Sequence, residues 1–161
     1  MDQSLETELE KAKDLAKRER STEALLLLDQ LASQYPHDAW VLATRAYVLG
    51  REGDTEGAIR NWSDAIAICA QEPHFFFIRG IELLKIGKFH DSVADFTKAI
   101  SLSEEYESIY YKLPAYLCRA DANARLRNFI EARRDCESVP SDLRFWTDHL
   151  ITKEEVLSRC V

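Results

Sequence analysis

The stretch AWVLATRAYVLGREGDTEGAIRNWSDAIAICAQE, Ala39 to Glu72, decides the fold of this chain. It reads as one helical hairpin. A first helix carries small Ala46 on its packing face, and Gly53-Asp54 marks a turn. A second helix carries Ala58, Trp62 and Ala65, and Pro73 follows where a new helix would begin. The apolar positions recur at the 3.6-residue period of a helix.

The pattern returns on both sides of this stretch. Gly53, Ala58, Trp62 and Ala65 are matched 34 residues later by Gly87, Ser92, Phe96 and Ala99. Arg45-Ala46 and Arg79-Gly80 repeat at the same interval. Stepping back by 34 gives Ala12, Ala24, Leu28 and Leu31. Downstream, Arg119-Ala120, Phe129, Ala132 and Cys136 form a further unit at a displacement of 40, so about six residues are inserted near Ser103 to Lys112. The outer units lack the turn glycine: Glu19-Arg20-Ser21 stands there in the first and Arg127-Asn128 in the fourth.

Small residues at Ala46, Gly80 and Ala120, and at Ala58, Ser92 and Ala132, would let the two helices of each hairpin approach closely. Leu49, Leu83, Trp62 and Phe96 would fill the space between hairpins. One hairpin cannot bury its own apolar stripe, so stacking must supply the core.

A helix-turn-helix period of 34 residues is the signature of the tetratricopeptide repeat, and the chain resembles that family over about residues 5 to 140. The resemblance implies an all-α fold, a superhelix of about four helical hairpins with a C-terminal capping segment, in a single domain spanning residues 1–161. The repeats run over about 5–38, 39–72, 73–112 with the insertion, and 113–140. The cap covers 141–161.

Composition fits this expectation. The chain has 161 residues, 46% of them hydrophobic and 30% charged, with only 5 Gly and 4 Pro to break helices. No apolar run approaches the ~18 residues of a membrane span, and Met1 to Glu6 shows no apolar signal core. Cys69, Cys118, Cys136 and Cys160 form no C-x-x-C pair. His37, His74, His90 and His149 form no H-x-x-x-H pair. No cofactor or metal is expected, and the cysteine usage suits a reduced, cytoplasmic setting. The net charge of -7 leans to the N-terminal side, where residues 1–38 carry nine acids and five bases. That disfavours nucleic acid and suits a basic partner, or serves solubility alone.

Catalytic motifs are missing. There is no Gly-rich phosphate loop, no G-x-S-x-G and no H-E-x-x-H. Cys118 has no histidine at a recognisable spacing and reads as a buried structural cysteine. The expectation is a non-enzymatic module that binds another protein or peptide, with no membrane partner and an unspecified oligomeric state.

The resemblance also implies where a partner would bind. In the family the first helix of each hairpin lines a concave groove. Its positions correspond here to Glu6, Leu9, Glu10, Lys13 and Lys17 in the first unit, and to Trp40, Ala43, Thr44, Tyr47 and Arg51 in the second. The third unit supplies His74, Phe77, Ile78, Ile81, Leu84 and Lys85, and the fourth Leu117, Cys118, Asp121 and Arg125. Tyr47 and Ile81 stand where members that clamp a C-terminal carboxylate carry asparagine, which argues against that ligand. The groove either takes an apolar peptide or partner helix, or is filled by the chain's own tail or insertion. The insertion offers Glu104, Glu105, Tyr106 and Tyr110 as a second candidate surface, and is expected to lengthen the preceding or the following helix with a short break near Ser103 or Ser108.

After Val139-Pro140 comes a tail outside the repeat pattern. Leu143 to Leu150 is ambiguous between short helix and extended chain, and Thr152 with Glu155 forms a capping box that starts a helix through about Cys160. Phe145, Trp146, Leu150, Val156 and Leu157 are the expected apolar contacts of this cap. The run Tyr116 to Leu126 and the tail Phe145 to Leu150 resemble small tetratricopeptide proteins encoded beside polymorphic toxins. That likeness implies an alternative role as a bacterial immunity protein that neutralises a cognate toxin by direct binding.

Overall fold

The computed structural model describes residues 3–107 and 110–161, so Ser108 lies outside the described residues. Helices pair in antiparallel hairpins along the chain, and the contacts divide it into two compact units, Met1–Ala70 and Gln71–Val161.

The first unit contains α1 (Gln3–Lys17), α2 (Ser21–Gln34), α3 (Ala39–Arg51) and α4 (Thr55–Ile68). Asp38 starts α3 by accepting the Trp40 amide at 2.8 Å, and Asp54 starts α4 by accepting that of Gly57 at 2.8 Å. The core runs from Leu5, Leu9, Ala12 and Ala16 of α1 through Ala24, Leu28 and Leu31 of α2 to Val41 and Val48 of α3. Ala46 and Ala58 are fully buried where α3 meets α4.

The second unit contains α5 (Pro73–Lys85), α6 (Phe89–Glu105), α7 (Lys112–Arg125) and α8 (Phe129–Glu137). The tail follows as β1 (Arg144–Trp146), β2 (Leu150–Thr152) and α9 (Lys153–Arg159). Pro73 occupies the first turn of α5, where its missing N–H costs nothing. A Cβ on Gly80 would lie 2.8 Å from the Phe96 ring, so this repeat position takes glycine because α5 and α6 close upon an aromatic ring there. Burying Phe96 completely contributes about 1.5–3 kcal/mol.

The four hairpin turns share one backbone conformation. Glu19 (φ 61°), Gly53 (φ 84°), Gly87 (φ 76°) and Arg127 (φ 62°) all sit in the left-handed region. The repeat therefore keeps the geometry of its turn even where it loses the glycine.

An ion pair also recurs. Arg79 grips Asp95 through two hydrogen bonds of 2.8 and 2.7 Å, and Arg119 grips Asp135 at 2.8 and 2.7 Å. Both carboxylates are buried. Burial pushes the Asp95 carboxyl up from its ordinary value, against the pull of the Arg79 guanidinium. In the first unit Asn61 stands at the equivalent acidic position, and Arg45 pairs with Asp29 of α2 instead.

The insertion lengthens α6, which runs through Ser103 to Glu105. The ambiguous tail segment is extended. β1 and β2 form an antiparallel hairpin in which Phe145 faces Ile151 across the strands and Trp146 faces Leu150. Thr152 caps α9 by accepting the Glu155 amide at 3.1 Å.

Candidate functional site

The face formed by the first helices of the hairpins differs between the two units. In the first unit, Glu6, Leu9, Glu10 and Lys13 fall on one side of α1 at spacings of three and four, and Trp40, Thr44, Tyr47 and Arg51 do so on α3. The Asp38 cap fixes the backbone of Trp40 at the start of α3. Glu6, Leu9, Glu10, Lys13 and Trp40 together line a cavity of about 240 Å³. Leu9 is its buried member, and Trp40 is half-buried against the unit's core. Lys13 donates to Glu10 at 2.7 Å. Tyr47 packs on the same core, with the Arg51 guanidinium 5.9 Å from its ring centre. The Thr44 hydroxyl is buried without a hydrogen-bond partner, at a cost of about 1–3 kcal/mol.

In the second unit the corresponding α5 face is buried, and at Phe77 it meets the chain's own tail. Phe77 is 3% exposed, Ile81 7% and Leu84 4%. The Phe77 ring meets Phe145 of β1 edge-on at 5.5 Å and Tyr111, which precedes α7, at 5.6 Å. His74 packs on Tyr111 at 5.2 Å. Ile151 and Val156 are fully buried as β2 and α9 pack on α7. All three α5 side chains are core in this conformation, and at Phe77 the tail supplies part of the apolar surface through Phe145.

Asp121 is also buried, at the centre of a polar clasp. Its carboxylate accepts from Arg125 Nε at 2.8 Å and from Arg159 of α9, with His149 Nε2 at 3.8 Å. Arg159 donates further to Glu155 at 2.7 Å, and His149 Nδ1 lies 2.7 Å from Asp148. The clasp ties the tail to α7. Arg125 remains exposed at its outer edge.

The other expected contact residues lie at the surface. Lys85 pairs with Glu82 at 2.9 Å. Glu104 pairs with Lys112 at 3.1 Å, which holds its carboxyl below the usual value. Glu105 is exposed, and the Tyr106 hydroxyl donates to Gln71 at 3.3 Å. Tyr110 is 76% exposed and sits edge-on to Tyr111 at 4.7 Å. Burial pushes the Tyr111 hydroxyl up to about 12.

Two expected cap contacts fail. Trp146 is 70% exposed and Leu157 is exposed as well, while Ile151, not singled out by the sequence, is fully buried. Strand alternation explains the exchange: Phe145 and Ile151 share the inner face of the hairpin, and Trp146 and Leu150 the outer. The short run of aromatic and β-branched residues from Phe145 to Thr152 was the available signal.

Catalytic chemistry finds little to build on. Burial pushes the Cys118 thiol well above its ordinary value and that of Cys136 to about 11, so neither is an activated nucleophile. Among the described residues no group of three or more His, Cys, Asp and Glu side chains could hold a metal ion. Among them, too, no helix is long and apolar enough to cross a membrane.

No protein-family model matches the sequence, and no curated protein matches it. Solved structures do match. PilW, described as a widely conserved type IV pilus biogenesis factor, aligns with TM-score 0.72 and 16% identity over 86% of this chain and 61% of its own. A structure described as the MamA RS-1 ArsTM double mutant aligns with TM-score 0.72 and 15% identity over 85% of this chain and 74% of its own. A tetratricopeptide repeat protein from Parabacteroides merdae aligns with TM-score 0.71 and 18% identity over 85% of this chain and 52% of its own. The chain thus spans less than two thirds of the first and third of these structures. The fold is that of the tetratricopeptide-repeat proteins, a helical-hairpin repeat.

Proposed function

We propose that the chain is a non-catalytic protein-interaction module, and that it docks a peptide segment of a partner protein on the α1–α3 face of its first unit. The observation that carries this reading is the convergence of Glu6, Leu9, Glu10, Lys13 and Trp40 on one cavity. Half-buried Trp40 and Tyr47 present large, semi-rigid surfaces there, the kind of side chain that anchors interfaces. In the second unit Phe77, Ile81, Leu84 and Asp121 are buried, Phe77 and Asp121 against the tail, and its exposed partner contacts are Lys85, Arg125, Glu104, Glu105, Tyr106 and Tyr110.

The test is selection of displayed peptides on the immobilised full chain. Peptides enriched by the wild type should be lost from the Trp40→Ala, Tyr47→Ala double variant and kept by a Tyr110→Ala, Glu105→Gln variant. Equal retention by the first double variant would remove the α1–α3 face from the proposal.

A toxin-neutralising role is the finer form of this reading. It is favoured by charge: residues 1–70 carry 13 acids against 8 bases, which would draw a basic toxin. Co-expression with the toxin encoded beside it should rescue growth, and unrelieved toxicity would count against the role.

A further inference from the structure

The cavity between α1 and α3 has features that select among occupants. At about 240 Å³ it is smaller than the roughly 300–1,000 Å³ of sites for drug-sized molecules, so it fits one side chain. Its floor is Leu9 and its aromatic wall is Trp40, the ring type that attracts cations most strongly. Two carboxylates line it, Glu6 and Glu10, against one cation, Lys13, which is already held by Glu10 at 2.7 Å. The lining therefore keeps the negative charge of Glu6. Glu6 repels an anionic group and attracts a cationic one, while a purely apolar group gains nothing from it.

We propose that this cavity is a recognition pocket for a single lysine or arginine side chain of the docked segment, the alkyl stem lying on Leu9, the cationic head between the Trp40 ring and the Glu6 carboxylate. It deepens the proposed docking role and rests on that reading. Specificity would come from the head group, because Leu9 and Trp40 alone would accept any apolar stem. Elevated salt should weaken the contact, since Glu6 is exposed.

The experiment uses small probes and does not need the partner. The indole N–H resonance of Trp40, assigned by its loss in Trp40→Phe, is followed by 15N NMR on the full chain. The titrants are n-butylammonium, n-butylguanidinium, n-butanol and butyrate. Both cations should shift it saturably, with n-butanol binding at least about fivefold more weakly and butyrate more weakly still. Glu6→Gln should lower n-butylammonium affinity about threefold while leaving n-butanol unchanged. Equal or tighter binding of n-butanol would overturn the proposal in favour of an apolar side chain. Tighter butyrate would overturn it in favour of an anion, and no shift with any probe would overturn it outright. The outcome is separable from the docking test. Trp40-dependent peptides without a basic residue would sink the pocket assignment alone, whereas cation binding at Trp40 with Trp40-independent peptides would sink the docking reading alone.

Discussion

The two units use the same hairpin and treat its inner face in opposite ways. In the first, α1 and α3 leave Trp40 partly exposed on the wall of a cavity, and Tyr47 partly exposed further along α3. In the second, Phe77, Ile81 and Leu84 are buried, β1, β2 and α9 fold back on α7, and Phe145 closes on Phe77. The family's groove is a set of positions, and whether those positions form a surface or a core depends on what the rest of the chain does with them. A side chain at a groove position is consequently worth several kcal/mol of stability when covered and little when open.

That contrast can be broken most forcefully at the cover. Ile151→Ala should cost about 2–5 kcal/mol of unfolding free energy by urea titration, the range for truncating a fully buried aliphatic side chain. Trp40→Ala, although it removes a larger side chain, should cost about 2 kcal/mol, below the range for a fully buried tryptophan, because the ring is partly exposed. Reversal of this order would show that the first unit's face is core and the tail a loose appendage. Gly80→Ala should follow at about 1–3 kcal/mol, since the new methyl must displace the Phe96 ring.

The clasp offers a chemically different test. Asp121→Asn keeps the shape and removes the charge that Arg125 and Arg159 share. The loss should be about 1–3 kcal/mol, below that of a fully buried pair because both guanidiniums are partly exposed. Faster amide exchange across β2 and α9 should accompany it. Unchanged exchange there would mean that the apolar contacts alone hold the tail.

Tyr111 gives the cover a pH dependence. Burial favours its neutral phenol, so its folded value lies above the unfolded one, at about 12 against 10.0. The folded state binds the extra proton between these values, so this contribution is present below pH 10 and is lost as pH rises from 10 to about 12. Phenolate absorbance should show a tyrosine titrating near 12, later than Tyr116, which is also raised, and only the former should become ordinary in Ile151→Ala. A Tyr111 that already titrates near 10 in the wild type would place it outside the packed face.

The repeat itself was legible because its determinants are small residues at a fixed interval: Ala46, Gly80, Ala58 and Ser92 are where helices touch, and substitution there is sterically limited. The cavity of the first unit was partly legible, since the groove positions implied by the family resemblance include Glu6, Leu9, Glu10, Lys13 and Trp40. The cover was not. Strands of three residues carry too few positions to establish an alternation, so the sequence leaves Ile151 unmarked and makes Trp146 an expected apolar contact. The recurring Arg79 and Arg119 were visible as repeat residues, but their acids, Asp95 and Asp135, lie on other helices and reveal themselves only through contact.

The smallest expected effect concerns what the units still share. Glu19 and Arg127 adopt the same left-handed backbone as Gly53 and Gly87. A side chain there strains against its own carbonyl by about 1 kcal/mol, partly offset because glycine loses more chain entropy on folding. Glu19→Gly and Arg127→Gly should each stabilise by about 0.5 kcal/mol, and Gly53→Ala and Gly87→Ala should each destabilise by about 1 kcal/mol. For Gly53 an added Cβ would meet no atom within 4 Å, so its loss isolates the backbone term from packing. If Gly53→Ala were neutral while Gly87→Ala, whose Cβ would meet the Phe89 ring at 3.9 Å, were costly, packing rather than the left-handed turn would set the glycine's value. Equal costs would show that the turn is a backbone requirement common to both units, independent of whether the face beside it is open or covered.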